Sequence, residues 1–374
     1  MKRHEVHFIY GGQAASTWIY KIAKSNKQGY LLFYQPFNVN DNLQEPNIKR
    51  LPDWVKIKIE LNFNIIYLLP SFIYISFILL NYRKSRIVCH MSSCLTPLIA
   101  SLFLGIEERI YFSHGFANID ADGPSFYLFS IIETLNIITS TKTINVSPPQ
   151  CQLIIKYPFI NSNKIYPIYP GSCCGIDRKH IIRDKDLDFK IKLLEDMKNI
   201  TISYIGRPYK RKGYPYILEI FESLNEYMMN NENQIKLQII GIPYQLVYDY
   251  ISNKNYKNKI EIIEYTKNVF KYLEKSSIVI LPSIHEGFGY ALLEGAACGN
   301  ALACFDITGP NCLVQNGYNG ITIPKGSSPR EFASSLYYLI KKKYLLKSMM
   351  RNSRLSATKF ESSIVINSIR KILK

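Results

Sequence analysis

Short apolar runs alternate with longer segments of helical period along most of the chain. Residues 5–10 and 29–34 read as strands, and between them the Gly11-Gly12 loop opens a helix over residues 17–25. Strand, glycine loop, helix and strand in that order predict a doubly wound parallel sheet. Further strands are expected at 87–90, at 109–116, which closes on His114-Gly115, and at 143–148. The segment 126–138 has a helical pattern and carries Glu133. A second alternating series starts at 200–207. It continues through strands at 235–241, 260–264 and 277–282, each followed by a helical stretch, and ends in a helical tail over 329–374.

Two segments break the alternation. Residues 165–177 are rich in Pro and Gly and have no helical period, so they read as the interdomain linker. Residues 65–80 form the most apolar stretch, and Arg83, Lys84 and Arg86 follow it. That stretch contains Pro70 and falls short of a membrane span of about 20 residues. It predicts either a buried helix or an amphipathic helix at a membrane surface.

The candidate chemistry lies mostly in the second series. Ser283-Ile-His-Glu-Gly-Phe-Gly-Tyr-Ala-Leu-Leu-Glu-Gly-Ala-Ala-Cys-Gly299 sets Glu286 and Glu294 on either side of a strand-to-helix turn, with Gly287 and Gly289 between them. A carboxylate there can accept hydrogen bonds from sugar hydroxyls, and backbone N–H groups at the helix start can hold a polar ligand. Upstream, Gly206-Arg-Pro-Tyr-Lys-Arg-Lys-Gly213 places Arg207 and Lys212 in another strand-to-helix loop. Arg grips phosphate as a fork and Lys acts as a point charge, so the pair reads as a diphosphate clamp. The alternative is a solvated basic loop, since Lys210 and Arg211 are also charged.

Lys plus Arg number 46 and Asp plus Glu 29, a net charge of +17 that favours anionic partners. The 28 tyrosines are scattered, and neither an RNP-like motif nor a long basic block is present, which argues against nucleic acid. None of the eight cysteines forms a CxxC pair, and no His stands at zinc-ligand spacing. The Asp-x-Asp triplet Asp120-Ala-Asp122 reads as a loop turn, so no metal site is expected. Met1-Lys-Arg-His-Glu leads into a strand without an apolar signal core, and a cytoplasmic setting is expected.

The two motifs together resemble retaining glycosyltransferases of family 4, of the bacterial surface-polysaccharide (capsule or O-antigen) type. The resemblance implies a GT-B fold: two Rossmann-like doubly wound domains facing across a cleft, with a C-terminal helix crossing back to the first. The domains would cover 1–168, with the helix at about 358–374, and 169–357. By resemblance Glu286, with Gly287, Phe288 and Gly289, holds the donor sugar, and Glu294 holds the ribose. Arg207, Lys212 and Gly12 would hold the donor diphosphate. The His-Gly pattern makes His114 a catalytic-site residue beside Glu286. The Gly-Ser-x-x-Gly-Ile-Asp segment ending at Asp177 resembles members acting on lipid-linked sugars.

The function so implied is transfer from a nucleotide-sugar, expected to be a UDP-sugar, to a polyprenyl-diphosphate-linked saccharide. The protein would be peripheral at the inner face of an anionic cytoplasmic membrane, with no cofactor or metal. Three departures weaken the match: Tyr265-Thr266 where a Gly is usual, the form of Asp306 to Pro310, and the apolarity of 65–80. The competing readings are a non-catalytic scaffold, transfer to a soluble acceptor, an epimerase or hydrolase on the same fold, and a nucleic-acid binder.

Overall fold

The computed structural model describes residues 5–10, 30–35, 55–60, 68–119, 121, 123–196, 199–229 and 234–374. It divides into two units, one of residues 1–175 with 365–374 and one of residues 176–364.

In the first unit the strands are β1 (Glu5–Tyr10), β2 (Tyr30–Gln35), β3 (Val55–Glu60), β4 (Arg86–His90), β5 (Arg109–Ser113), β6 (Lys142–Asn145) and β7 (Ile165–Pro167). They form one sheet in the order β3-β2-β1-β4-β5-β6-β7. All the pairings are parallel. Parallel strands are covered on both faces, which explains the near-continuous burial of β4 and β5. The order reverses between β1 and β4, so side chains at the C-terminal ends of those strands meet at a topological switch point.

The start of the expected linker is therefore a strand: Ile165 is buried and pairs with Thr143 of β6. Pro167 is tolerated there because β7 is an edge strand. The apolar stretch forms the helix Leu68–Leu80. Ile75 and Leu79 enter the core, while Ile73 and Phe77 lie outside it, Phe77 at 70% exposure. Neither a fully buried helix nor a spanning one describes it, and no helix among the described residues is long and apolar enough to cross a membrane. The expected helix over 17–25, Gly12, Asp120 and Asp122 lie outside the described residues.

The second unit has β8 (Asn199–Ile205), β9 (Gln234–Ile240), β10 (Ile260–Ile263), β11 (Ile278–Leu281), β12 (Ala301–Asp306) and β13 (Gly320–Pro324). Their order is β10-β9-β8-β11-β12-β13, again parallel, with the reversal between β8 and β11. The core packs Ile202, Tyr204 and Ile280 of the sheet against Phe221 and Leu336 of its helices. The helical tail is realised as Pro329–Lys341, Lys343–Thr358 and Ser362–Leu373. The end of the last helix lies in the first unit, where Arg86 and Lys142 donate to the carbonyls of Leu373 and Ile372.

Candidate functional site

The motif residues of the second unit gather where its strand order reverses. β8 delivers Gly206-Arg207 to its C-terminal end, and a tight turn, Lys210–Lys212, follows. β11 delivers Pro282 and the Glu286 loop beside it. Lys212 Nζ meets Glu286 Oε1 at 2.6 Å, with the lysine side chain 29% and the glutamate 9% exposed. The Ile284 N–H donates to the Arg211 carbonyl at 3.1 Å, and the Tyr204 hydroxyl donates to the Lys212 carbonyl at 3.0 Å. Burial and the nearby Glu286 push the Tyr204 phenol up, so it stays a donor.

Two glycines permit this close approach. Gly213 has φ +87°, and a Cβ there would stand 2.5 Å from the Pro282 carbonyl oxygen. A Cβ on Gly309 would collide with the Glu286 carbonyl. The helix Tyr290–Ala297 starts directly after Gly289, and Glu294 sits half-buried within it. The Phe288 ring packs on Phe360 at 5.3 Å, so its side chain belongs to the core and only its backbone serves the loop. The buried Ser283 hydroxyl has no partner among the described residues. An ammonium, a buried carboxylate and a helix start in one loop pair can bind a polar, anionic ligand.

His114 lies in the first unit, just past the end of β5. Its loop is fixed by buried side chains: Glu133 accepts from the Ala117 N–H at 2.8 Å and from the Tyr111 hydroxyl at 2.7 Å, and Gln150 accepts from the Phe116 N–H at 3.0 Å. His114 Nε2 stands 3.1 Å from His90 Nδ1, and His90 Nε2 stands 3.2 Å from His7 Nδ1. His7 Nε2 faces Glu5 Oε2 at 3.4 Å, and Arg86 donates to Glu5 Oε1 at 2.9 Å. Burial pushes the His114 imidazole down to about 3. His90 is also held well below the usual histidine range, by burial and then by His114 and His7. Burial alone would raise the Glu5 carboxyl, but His7 and Arg86 together bring it below its ordinary value. No cluster among the described residues has the form of a metal site.

Residues 184–356 match the family model described as Glycosyl transferases group 1. The Lys212–Glu286 pair, Arg207 and Glu294 all fall inside this group 1 domain; His114 falls outside it. The chain is 26% identical over 252 residues to the UDP-Gal:alpha-D-GlcNAc-diphosphoundecaprenol alpha-1,3-galactosyltransferase of Escherichia coli, covering 66% of this chain and 64% of that one. It is 23% identical over 216 residues to the N,N'-diacetylbacillosaminyl-diphospho-undecaprenol alpha-1,3-N-acetylgalactosaminyltransferase of Campylobacter jejuni, covering 57% and 51%. The similarity thus spans about two thirds and about half of these relatives' lengths. Among solved structures, Anabaena Alr3699/HepE in complex with UDP and glucose superposes over 99% of both chains with a TM-score of 0.75 at 16% identity. At that identity the likeness shows the fold, which is GT-B.

Of the residues singled out in the sequence, the group 1 domain brings Lys212 and Glu286 into contact. Arg207 stands half-buried at the end of β8 without an ion-pair partner among the described residues. Sequence reasoning passed over Ser283, Tyr204, Glu5, His7 and His90. A signal for the histidines was present: parallel strands are apolar on both faces, and His7 and His90 interrupt two such runs.

Proposed function

We propose that this protein is a retaining glycosyltransferase of family 4. It moves a sugar from a nucleotide-diphosphate sugar, a UDP-sugar, to a polyprenyl-diphosphate-linked saccharide in cell-surface polysaccharide synthesis. The observation that carries the reading is the Lys212–Glu286 contact at the strand-order reversal of the group 1 domain. Arg207 and Lys212 hold the donor diphosphate, Glu294 the ribose, and Glu286 with the backbone from Gly287 to Gly289 the sugar. The leaving nucleoside diphosphate gains charge as the glycosidic bond breaks. Fixed cations and the helix start at Tyr290 stabilise that charge, and the step needs no metal. His114, in the first unit, is the other proposed catalytic residue and carries a neutral imidazole.

The acceptor class is supported by two relatives whose names specify diphosphoundecaprenol-linked substrates. It is also supported by the surface of the first unit. The helices Leu68–Leu80, Leu95–Phe103 and Pro124–Thr139 pack side by side. They expose Phe77, Phe103, Tyr127, Ile131 and Leu135. Arg83, Lys84 and Lys156 are exposed on the segments that follow two helices of this unit. An apolar face flanked by cations suits an anionic lipid surface, and the protein works there as a peripheral enzyme on the cytoplasmic side.

The test is nucleoside diphosphate release by the purified protein from a panel of UDP-, GDP- and ADP-sugars with membrane lipid extract, beside Glu286→Ala and Arg207→Ala. Lipid-dependent release from one donor, lost in both variants, is the expected result. No release from any donor, with no nucleotide-induced shift in melting temperature, would leave a non-catalytic protein of this fold. Release only with a soluble saccharide would replace the acceptor.

A further inference from the structure

The polar chain behind His114 has a direction. Glu5, His7, His90 and His114 advance diagonally across β1, β4 and β5 on one face of the sheet, toward its C-terminal edge. Each step is a side-chain contact of 3.1 to 3.4 Å. Neutral imidazole has one N–H and one lone pair, so fixing one ring fixes the next. The fixed end is Glu5. Its carboxylate only accepts, and Arg86 already occupies Oε1, so Oε2 takes the Nε2–H of His7. His7 Nδ1 is then a lone pair and accepts the Nε2–H of His90. His90 Nδ1 in turn accepts the Nε2–H of His114. What remains at the far end is His114 Nδ1, a buried nitrogen without a partner.

We infer that Glu5, His7 and His90 are positioning residues, which orient the chain so that His114 Nδ1 presents a lone pair to a hydroxyl of the bound sugar substrate. The assignment of the hydroxyl rests on the transferase reading above; the direction of the chain does not. Neutral imidazoles suit the place, because a charged ring with two N–H groups would offer such a hydroxyl only a donor. The backbone beside the chain is held in an unusual state: Met91, directly after His90, has φ 76° and ψ 153°, a region almost confined to glycine. Arg86 also binds Glu108 and the Leu373 carbonyl, which anchors the Glu5 end to the last helix.

A single substitution turns the chain round. In Glu5→Gln the amide oxygen stays on Arg86 and the NH2 faces His7 Nε2. His7 must then accept there and carry its proton on Nδ1. His90 and His114 follow, and His114 ends with an N–H at Nδ1. Glu5→Asp keeps an acceptor-only group and leaves the direction as it is. A proton on His7 would reverse the chain as Gln does, so the measurement belongs at pH 8, above the ordinary imidazole range of about 6.5.

The experiment is long-range 1H–15N correlation on the full chain with 15N-labelled histidine, with His114 assigned by loss of its signals in His114→Asn. The expected result is a neutral His114 protonated at Nε2 in the native protein and in Glu5→Asp, and protonated at Nδ1 in Glu5→Gln. Donor and lipid-acceptor kinetics accompany it. Glu5→Gln is expected to lower kcat/KM about tenfold, with Glu5→Asp recovering most of the loss. A rise in donor KM places the hydroxyl on the donor, and a rise in acceptor KM places it on the acceptor. A native His114 protonated at Nδ1 overturns the inference even if Glu5→Gln does not fold. So does a folded Glu5→Gln with an unchanged pattern. Native direction as expected with no transfer from any donor would overturn the hydroxyl assignment and the transferase reading together, leaving only the direction. Measurable transfer with the opposite direction would remove only the positioning role.

Discussion

At the strand-order reversal of the second unit a lysine ammonium meets a carboxylate; at the reversal of the first, histidines meet one another. Both are polar groups set at the same place in a doubly wound sheet, and they are stabilised by different physics. Lys212 and Glu286 are two opposite charges whose desolvation is offset by their contact and by partial access to water. His90 and His114 gain nothing from charge. Burial makes protonation of His90 and His114 costly, and hydrogen bonds satisfy the ring nitrogens instead, except His114 Nδ1. A site for a diphosphate needs fixed positive charge. A group meant to meet a neutral hydroxyl needs a defined lone pair. On the proposed reading, the difference between the two units follows from those demands.

The strongest way to break the comparison is to remove the lysine. Lys212→Ala leaves Glu286 buried without its cation and takes a charge from the proposed diphosphate site. Transfer is expected to fall at least about a hundredfold, with a stability loss of about 1 to 3 kcal/mol. Lys212→Met with Glu286→Gln is expected to cost less stability than the sum of the single changes, read by denaturant unfolding. Additive losses would mean that the two side chains do not interact.

Next is the buried carboxylate of the first unit. Glu133→Ala strands the Tyr111 hydroxyl and the Ala117 N–H. A loss of about 2 to 4 kcal/mol is expected on thermal unfolding, larger than for any exposed acid. Glu133→Gln keeps an acceptor for one of the two donors and is expected to fall between.

Acid sharpens the contrast further. His114 is held near 3 when folded and titrates near its ordinary value of 6.5 when unfolded. Between these values the unfolded chain binds a proton that the folded chain refuses. The stability this group contributes is therefore complete above pH 6.5 and is lost as pH falls toward 3, at up to about 1.4 kcal/mol per pH unit. His90 acts with the same sign. His114→Asn is expected to flatten the fall in melting temperature between pH 6.5 and 4. An unchanged slope would show that the imidazole is charged or exposed.

The smallest expected effect on stability is at the apolar face. Phe77→Ser and Phe103→Ser alter exposed side chains and are expected to stay within about 0.5 kcal/mol of the native stability. Together they are expected to weaken co-sedimentation with anionic vesicles several-fold. Equal binding by the double variant would contradict membrane contact through this face.

The sequence was most legible where chemistry is local. Glu286, Gly289 and the helix to Ala297 sit in one continuous stretch, and Arg207 and Lys212 share one loop, so the apolar run before each loop and the glycines within it indicated a strand-to-helix junction. The parallel sheets were legible for the same reason, since each strand and its helix are neighbours in sequence. The His chain was not. His7 and His90 are 83 residues apart and His90 and His114 are 24 apart, and only the order β1-β4-β5 brings them together. The edge strand β7 was hidden for another reason: Pro and Gly mark a loop locally, yet a three-residue edge strand needs hydrogen bonds on one side only. In the helix Leu68–Leu80 apolarity gave the element but not its burial, because nearly every position is apolar and no face stands out.

The central claim is that the loops after β8 and β11 bind the diphosphate of a nucleotide-sugar. Calorimetric titration of UDP into the native protein, Arg207→Met and Lys212→Met tests it without requiring the acceptor. The account expects binding that weakens at least about tenfold in each variant, the loss of one charge-assisted contact to phosphate. Equal affinity in all three proteins would contradict it.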